Sequence, residues 1–323
     1  MMKRALLLFL LVSTEALAAP APGKVVYEKF KSDALGVEKD VVVYLPAGYD
    51  PKAGKRWPVF YYLHGLGGDE TNWTKHGNLE AAANELGLGA IVVMPDGDNG
   101  FYANSVTPTD YDRCMKDGTG LFDPKAVKAK TCVRKPAYET YIVKDLVGWV
   151  DRTYRTIPDR TGRGIAGLSM GGFGALELGI RHQDLFSAVV SHSGVTALMY
   201  KGPVPYQKGK VELLDDPTQW GVAVGPIGDW VRAIFGTDRA NWTAHDPAQL
   251  LDKIKPGLAL YLDCGTEDEF LLHNGAAYVH DLLLARNIKH DYYAGPGHHN
   301  FTFWAARLPK SLAFLAKNVA PAK

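Results

Sequence analysis

The sequence predicts an α/β fold in which a mostly parallel, doubly wound sheet carries helices on both faces, and three observations predict it. Apolar runs alternate with segments of helical period along most of the chain. The central runs are too continuously hydrophobic to face water, as strands buried on both sides are. One of them leads directly into a glycine-flanked serine and then a helix. With 323 residues, 46% of them hydrophobic, the chain can fill one large domain or two small ones. Its formal net charge of +1 provides no electrostatic case for nucleic acid or an anionic membrane as partner.

Met1-Met2-Lys3-Arg4 and the apolar run Ala5 to Val12 form the basic and hydrophobic regions of a secretory signal, and Ala16-Leu17-Ala18 fits its cleavage site. Residues 1–18 are therefore read as a signal peptide, and 19–323 as a single exported domain, secreted or periplasmic. Stable membrane insertion is not expected, because Ser13-Thr14-Glu15 interrupts the run short of the roughly 20 apolar residues a span needs. No cysteine beside the cleavage site suggests a lipoprotein.

Strands are expected at Val25–Phe30, Val41–Leu45, Val59–Leu63, Ala90–Met94, Gly164–Leu168, Ala188–His192, Leu258–Leu262 and His290–Tyr293, the first two as an antiparallel hairpin. Helices are expected at Asn78–Leu86, Tyr138–Tyr154, Gly172–His182, Ala276–Arg286 and Phe303–Lys317. Two stretches break the rhythm. Thr107 to Pro136 is polar and reads as an insertion, whereas Met199 to Pro247, rich in Gly, Pro and Trp, reads as a cap-like segment without a clear amphipathic lid helix. No heptad run demands an oligomer.

The serine lies in Gly167-Leu168-Ser169-Met170-Gly171, a G-x-S-x-G pattern between an apolar strand and the helix-forming Ala175-Leu176-Glu177-Leu178. A hydroxyl stands proud of a sheet edge only on a sharp, strained turn, in which side chains at Gly167 and Gly171 would collide. A serine also needs a base to take its proton and a carboxylate to orient that base, and in α/β-hydrolases these follow in the order Ser, Asp or Glu, His. The strand at Leu258–Leu262 runs into Asp263-Cys264-Gly265-Thr266-Glu267-Asp268-Glu269. Asp268, beyond the glycine turn, can reach back over the sheet edge; Asp263 is read as capping or solvating the strand end, and Glu267 and Glu269 as facing solvent. Behind the last strand, Gly295-Pro296-Gly297-His298-His299 presents two candidate bases. Backbone N–H groups of Met170, after the nucleophile, and Leu66, in His64-Gly65-Leu66-Gly67-Gly68, are expected to form an oxyanion hole. His64 itself is read as orienting that loop.

Of the three cysteines, Cys114 and Cys132 bracket one loop-like stretch and are the natural disulfide pair in an exported chain, while Cys264 reads as a buried free thiol. No Cys/His spacing suggests zinc, and no cofactor motif is present. Asp96-Gly97-Asp98-Asn99-Gly100 superficially matches a calcium loop but lacks the third ligand position and the distal glutamate, so it reads as a substrate-side loop carrying Tyr102.

Together these blocks resemble the esterase D family of α/β-hydrolases, which includes feruloyl and acetyl-xylan esterases, S-formylglutathione hydrolases and mycolyltransferases. The resemblance rests on Tyr62-Leu63-His64-Gly65 with Trp73, Met94-Pro95-Asp96-Gly97 with Asn99-Gly100-Phe101-Tyr102, and Tyr138-Glu139-Thr140. It continues through Gly167 to Gly172, Cys264-Gly265-Thr266-Glu267-Asp268, and Pro296-Gly297-His298-His299-Asn300-Phe301 with Trp304. It implies Asp268 as the acid and His299 as the base, with His298 where the family usually has glycine. The function implied is a serine carboxylesterase for short-chain acyl or aryl esters, small or polysaccharide-linked, with Trp73, Phe101 and Tyr102 lining a shallow cleft. An acyltransferase of the mycolyltransferase type shares the first half of that chemistry. A thioesterase of the S-formylglutathione hydrolase kind does too, although a signal peptide argues against the cytosolic role, and a complete set of site residues weighs against a non-catalytic binding module.

Overall fold

β1 (Lys24–Ser32) and β2 (Val37–Leu45) pair antiparallel around a tight turn, and among the described residues a further eight strands follow. These are β3 (Val59–Leu63), β4 (Ile91–Pro95), β5 (Arg163–Leu168), β6 (Ala188–His192), β7 (Tyr200–Gly202), β8 (Glu212–Leu213), β9 (Ala259–Gly265) and β10 (Asp291–Gly295). The computed structural model describes residues 21–118, 128–222 and 225–323; the signal-peptide reading of residues 1–18 falls outside them. The main sheet has the order β1-β2-β4-β3-β5-β6-β9-β10, antiparallel as far as β4 and parallel from β4 to β10, while β7 and β8 form a separate hairpin.

The hydrophobic continuity of the central strands has a direct cause. Val59, Tyr61 and Leu63 of β3 enter one core, and Phe60 and Tyr62 enter the core on the opposite face. Successive side chains point to opposite faces of a strand, so a sheet covered on both sides buries both sets and its strands read as unbroken apolar runs. The edge strand β10 shows the converse, with Asp291, Tyr293 and Ala294 exposed.

The helices are α1 (Asn72–Lys75), α2 (Leu79–Glu85), α3 (Tyr111–Asp117), α4 (Lys128–Thr131), α5 (Tyr138–Thr140), α6 (Val147–Thr153), α7 (Met170–Arg181), α8 (Pro226–Phe235), α9 (Arg239–His245), α10 (Pro247–Leu250), α11 (Leu272–Ala285) and α12 (Phe301–Asn318). Tyr141–Leu146, between α5 and α6, is wound as a π-helix, so the helix expected at Tyr138–Tyr154 is continuous but carries a widened centre. Asp145 in that segment accepts from Ser32 Oγ at 2.7 Å and the Ala34 N–H at 2.8 Å, which fixes the β1–β2 turn.

The cap-like stretch contains the amphipathic helix that its composition conceals. α8 starts with Pro226 and ends before Gly236, so the residues suggesting a loop are its start and stop signals. Its apolar face is not a free lid. Val231 and Phe235 are buried, and the Phe235 ring lies 5.8 Å from Phe173 and 5.3 Å from Trp242. Asp246 anchors the start of the cap by accepting from the N–H groups of Leu198 (2.8 Å) and Met199 (3.2 Å), and its burial pushes the carboxyl up to about 6.

Cys114 on α3 and Cys132, just after α4, form a disulfide with their Cα atoms 5.7 Å apart. Closing a loop of this length stabilises by about 3 kcal/mol in the chain-entropy model. Because the bridge lies outside both sheet cores, reduction is expected to raise amide hydrogen exchange in α3 and α4 while β3 to β6 stay protected. Exchange followed by mass spectrometry checks this, and equal deprotection of the central strands would contradict it.

Candidate active site

β5 ends at Leu168, α7 starts at Met170, and Ser169 between them has φ 53° and ψ −117°. Such a conformation costs a residue with a side chain on the order of 1–3 kcal/mol, and the surroundings enforce it. The Ser169 N–H donates to the His192 carbonyl at 2.9 Å, and its own carbonyl accepts from Phe173 at 2.9 Å. A Cβ at position 167 would lie 2.2 Å from the Gly171 carbonyl oxygen, and one at 171 would lie 2.5 Å from the Leu63 and His64 oxygens. Glycine is therefore required at both positions, as the turn geometry predicts.

His299 Nε2 is 2.9 Å from Ser169 Oγ, and its Nδ1 is 2.6 Å from Asp268 Oδ2. With Nδ1–H donating to the carboxylate, Nε2 is left as the acceptor of the serine proton. Asp268 has no side-chain exposure, and His299 only 8%. Asp268 Oδ1 accepts from the Phe270 N–H at 3.0 Å, and the thiol of Cys264 lies 3.6 Å from Oδ2. Burial, and then the Asp268 charge, push that thiol well above its ordinary range, so Cys264 is the buried free thiol expected. Edge-on contacts from Phe270 at 4.8 Å and Trp304 at 5.0 Å confine the His299 ring.

Glu267 and Glu269 are exposed, as expected, but they also brace the histidine loop. Glu267 accepts from the Gly297 N–H at 2.8 Å, and Glu269 accepts from the His299 N–H at 2.9 Å and pairs with His298 Nδ1 at 2.8 Å. His298 thus points away from the serine. Asp263 is not the solvated cap the sequence suggested. β9 runs on to Gly265, in register with Gly295, so Asp263 lies inside the sheet, where it pairs with His192 Nδ1 at 2.8 Å and Arg307 Nε at 3.1 Å.

The loop after β3 stands beside Ser169, whose Cβ would lie 3.3 Å from one at Gly65. His64 Nε2 accepts from the Gly97 N–H at 2.8 Å, the His64 carbonyl accepts from Tyr102 OH at 3.0 Å, and Gly67 N–H donates to Asn99 Oδ1 at 2.7 Å. His64 does orient this loop. Among the described residues, neither the Leu66 nor the Met170 N–H finds an intramolecular acceptor.

Trp73, Phe101 and Tyr102 do not line an open cleft. Their exposures are 1%, 4% and 0%. Trp73 Nε1 donates to the Leu63 carbonyl at 3.1 Å, and positive φ at Phe101 (51°) and Tyr102 (53°) turns both rings inward. The exposed aromatic beside His299 is instead Phe270, at 54%, two residues after Asp268. Its place next to Asp268 was the only sequence signal for it.

Beneath the loop, the Asp96–Asp98 turn that resembled a calcium site holds a lysine. Lys39, fully buried, places Nζ 2.7 Å from Asp96 and 2.8 Å from Asp98. Burial opposes ionisation of Asp96, but Lys39 and His64 outweigh it and hold that carboxyl well below the usual range. Burial and the neighbouring Asp96 push the Asp98 carboxyl above its usual range. Removing one partner of such a cluster leaves uncompensated buried charge, so Lys39→Met is expected to cost about 3–5 kcal/mol. A lowered urea midpoint checks this, and an unchanged one would show that the cluster holds no net stability.

A mostly parallel eight-stranded sheet that presents a strained serine, a histidine and a buried aspartate from the loops after β5, β10 and β9 defines an α/β-hydrolase. The chain belongs to the esterase family described as "Putative esterase", whose pattern matches residues 32–315. It is 27% identical over 288 residues to the esterase Rv1288 of Mycobacterium tuberculosis, covering 85% of this chain and 55% of that protein. The chain thus spans about half the length of the curated relatives it matches. Among solved structures it is similar to FphF, a fluorophosphonate-binding serine hydrolase of Staphylococcus aureus, at 24% identity and TM-score 0.67 over 91% of this chain and 99% of that one. A ferulic acid esterase matches at 22% identity and TM-score 0.65, over 92% and 98% respectively.

Proposed function

We propose that this protein is an exported serine carboxylesterase that cleaves short-chain acyl or aryl esters through an acyl-enzyme formed on Ser169. The observation that carries the reading is the unbroken chain from Ser169 Oγ through His299 to Asp268, at 2.9 and 2.6 Å. His299 takes the hydroxyl proton as Ser169 attacks the ester carbonyl, and Asp268 stabilises the imidazolium that results. The oxyanion is received by the Leu66 and Met170 N–H groups, which are fixed before the substrate arrives. His299 then protonates the departing alcohol, water attacks the acyl-serine by the same route in reverse, and the ester ends as acid and alcohol.

Ser169→Ala and His299→Ala are each expected to lower kcat by on the order of 10⁶, and Asp268→Asn by about 10⁴, with p-nitrophenyl butyrate as substrate. His298→Ala is expected to retain most of the activity, because its ring pairs with Glu269 rather than with Ser169. A larger loss at His298 than at His299 would overturn the assignment.

Substrate length follows from what surrounds the triad. The apolar face of α8 is already packed into the core, which leaves Phe270 and Leu271 as exposed apolar groups on the acid loop. That is enough apolar surface for a short acyl or aryl group and too little for a long chain. Acetyl to butyryl esters are therefore expected to be cleaved much faster than palmitoyl esters in a p-nitrophenyl series. Equal rates across the series would refute this reading, and product carrying an added alcohol in place of water would identify a transferase.

A further inference from the structure

Proton transfer from Ser169 to His299 needs the imidazole in place, and therefore needs the backbone beneath it to stay still. His299 is the middle residue of a tight turn in which the Asn300 N–H donates to the His298 carbonyl at 2.9 Å, and Asn300 then caps α12. The His299 N–H is left outside both the turn and the helix, so it must find an acceptor elsewhere. The acceptor it finds is Glu269 Oε2, at 2.9 Å, on the loop after β9.

Glu269 directly follows Asp268, and these neighbours hold one residue at two points. Asp268 takes the His299 ring through Nδ1 at 2.6 Å, and Glu269 takes its backbone. A ring held at Nδ1 alone is free to pivot about Asp268 as its own Cα shifts, which carries Nε2 away from its 2.9 Å contact with Ser169 Oγ. The second anchor removes that freedom.

The carboxylate is itself held, although the Glu269 side chain is 60% exposed. An exposed glutamate ordinarily samples several rotamers, and a lone contact to it counts for little. Here both oxygens are committed to consecutive residues of one turn, because Oε1 pairs with His298 Nδ1 at 2.8 Å. The His299 N–H first, and then the His298 ring, hold the Glu269 carboxyl below its usual range, which keeps it in the ionised form that accepts both bonds.

Glu267 provides a comparison within the same loop. It is nearly as exposed, at 54%, and accepts from the Gly297 N–H at 2.8 Å, but that bond falls two residues short of His299.

We propose that Glu269 is a positioning residue for the reaction: its carboxylate fixes the His299 backbone so that Nε2 stays aligned on Ser169 Oγ. The inference rests on the esterase reading for turnover, whereas the bond itself is measurable without a substrate.

With p-nitrophenyl butyrate, Glu269→Ala is expected to lower kcat about tenfold and to leave KM within about twofold, because the loss falls on proton transfer rather than on binding. Glu269→Gln keeps an oxygen acceptor for the His299 N–H, so kcat is expected to recover to within about threefold of the native value. Glu267→Ala, which removes the same charge from the same loop, is expected to lower kcat by no more than about twofold. Hydrogen exchange at the His299 amide, followed by NMR, reads the bond without turnover. Protection in the native protein and in Glu269→Gln is expected, with exchange at least about tenfold faster in Glu269→Ala. An unchanged kcat in Glu269→Ala, a loss that lies in KM, an equal loss in Glu267→Ala, no recovery in Glu269→Gln, or an unprotected His299 amide in the native protein would each overturn the inference. A native protein that protects this amide yet hydrolyses no ester would instead count against the esterase reading.

Discussion

Everything at the site depends on the close contact between the turn after β5 and the carbonyls at the end of β3. Position 171 lies so near the Leu63 and His64 oxygens that no side chain fits, and position 167 so near Gly171 that none fits there either. The strand-to-helix turn is thereby pressed against its neighbour, and Ser169 is held in a left-handed conformation that its own preferences disfavour. The energy to keep it there comes from the sheet, which is buried on both faces, and from α7, whose residues from Met170 to Ile180 are all buried. The hydroxyl is positioned because the backbone below it has nowhere else to go.

The buried charges of the fold are arranged on the same plan, each fixed by an element distant in sequence. Lys39 comes from β2 to hold the turn after β4, and Arg307 comes from α12 to hold Asp263 within β9. His182 and Arg181, at the end of α7, pair with Glu139 at 2.8 and 2.9 Å. Single buried charges would be prohibitive, but these clusters exchange hydration for several short contacts and so fix the loops they join.

The sheet was largely legible in the sequence, because strands buried on both sides cannot alternate and therefore stand out as unbroken apolar runs. Ser169, Asp268 and His299 were legible because each sits at a turn whose glycines are set by backbone contact. What escaped were features decided by long-range packing. Nothing local shows that Lys39 will meet Asp96 and Asp98, that Asp263 will be drawn inside the sheet by pairing at Gly265, or that Phe101 and Tyr102 will turn inward. α8 was hidden because its boundary residues, Pro226 and Gly236, are the ones that also mark loops.

β10 is the last strand of the sheet, pairs with β9 alone, and is half open to solvent, yet the chain leaving it carries His299. The acid loop after β9 and the base loop after β10 are cross-linked through backbone bonds from Thr266 to Gly295 and from Glu267 to Gly297. Both therefore belong to the rim of the sheet, whereas Ser169 belongs to its middle. Segments with few buried contacts open at lower free energy than the core. Ser169 and the Asp268–His299 pair are thus divided between the buried middle and an open edge of one sheet, and on warming, peeling of that edge would break the contact between Ser169 and His299 while the serine was still held in place.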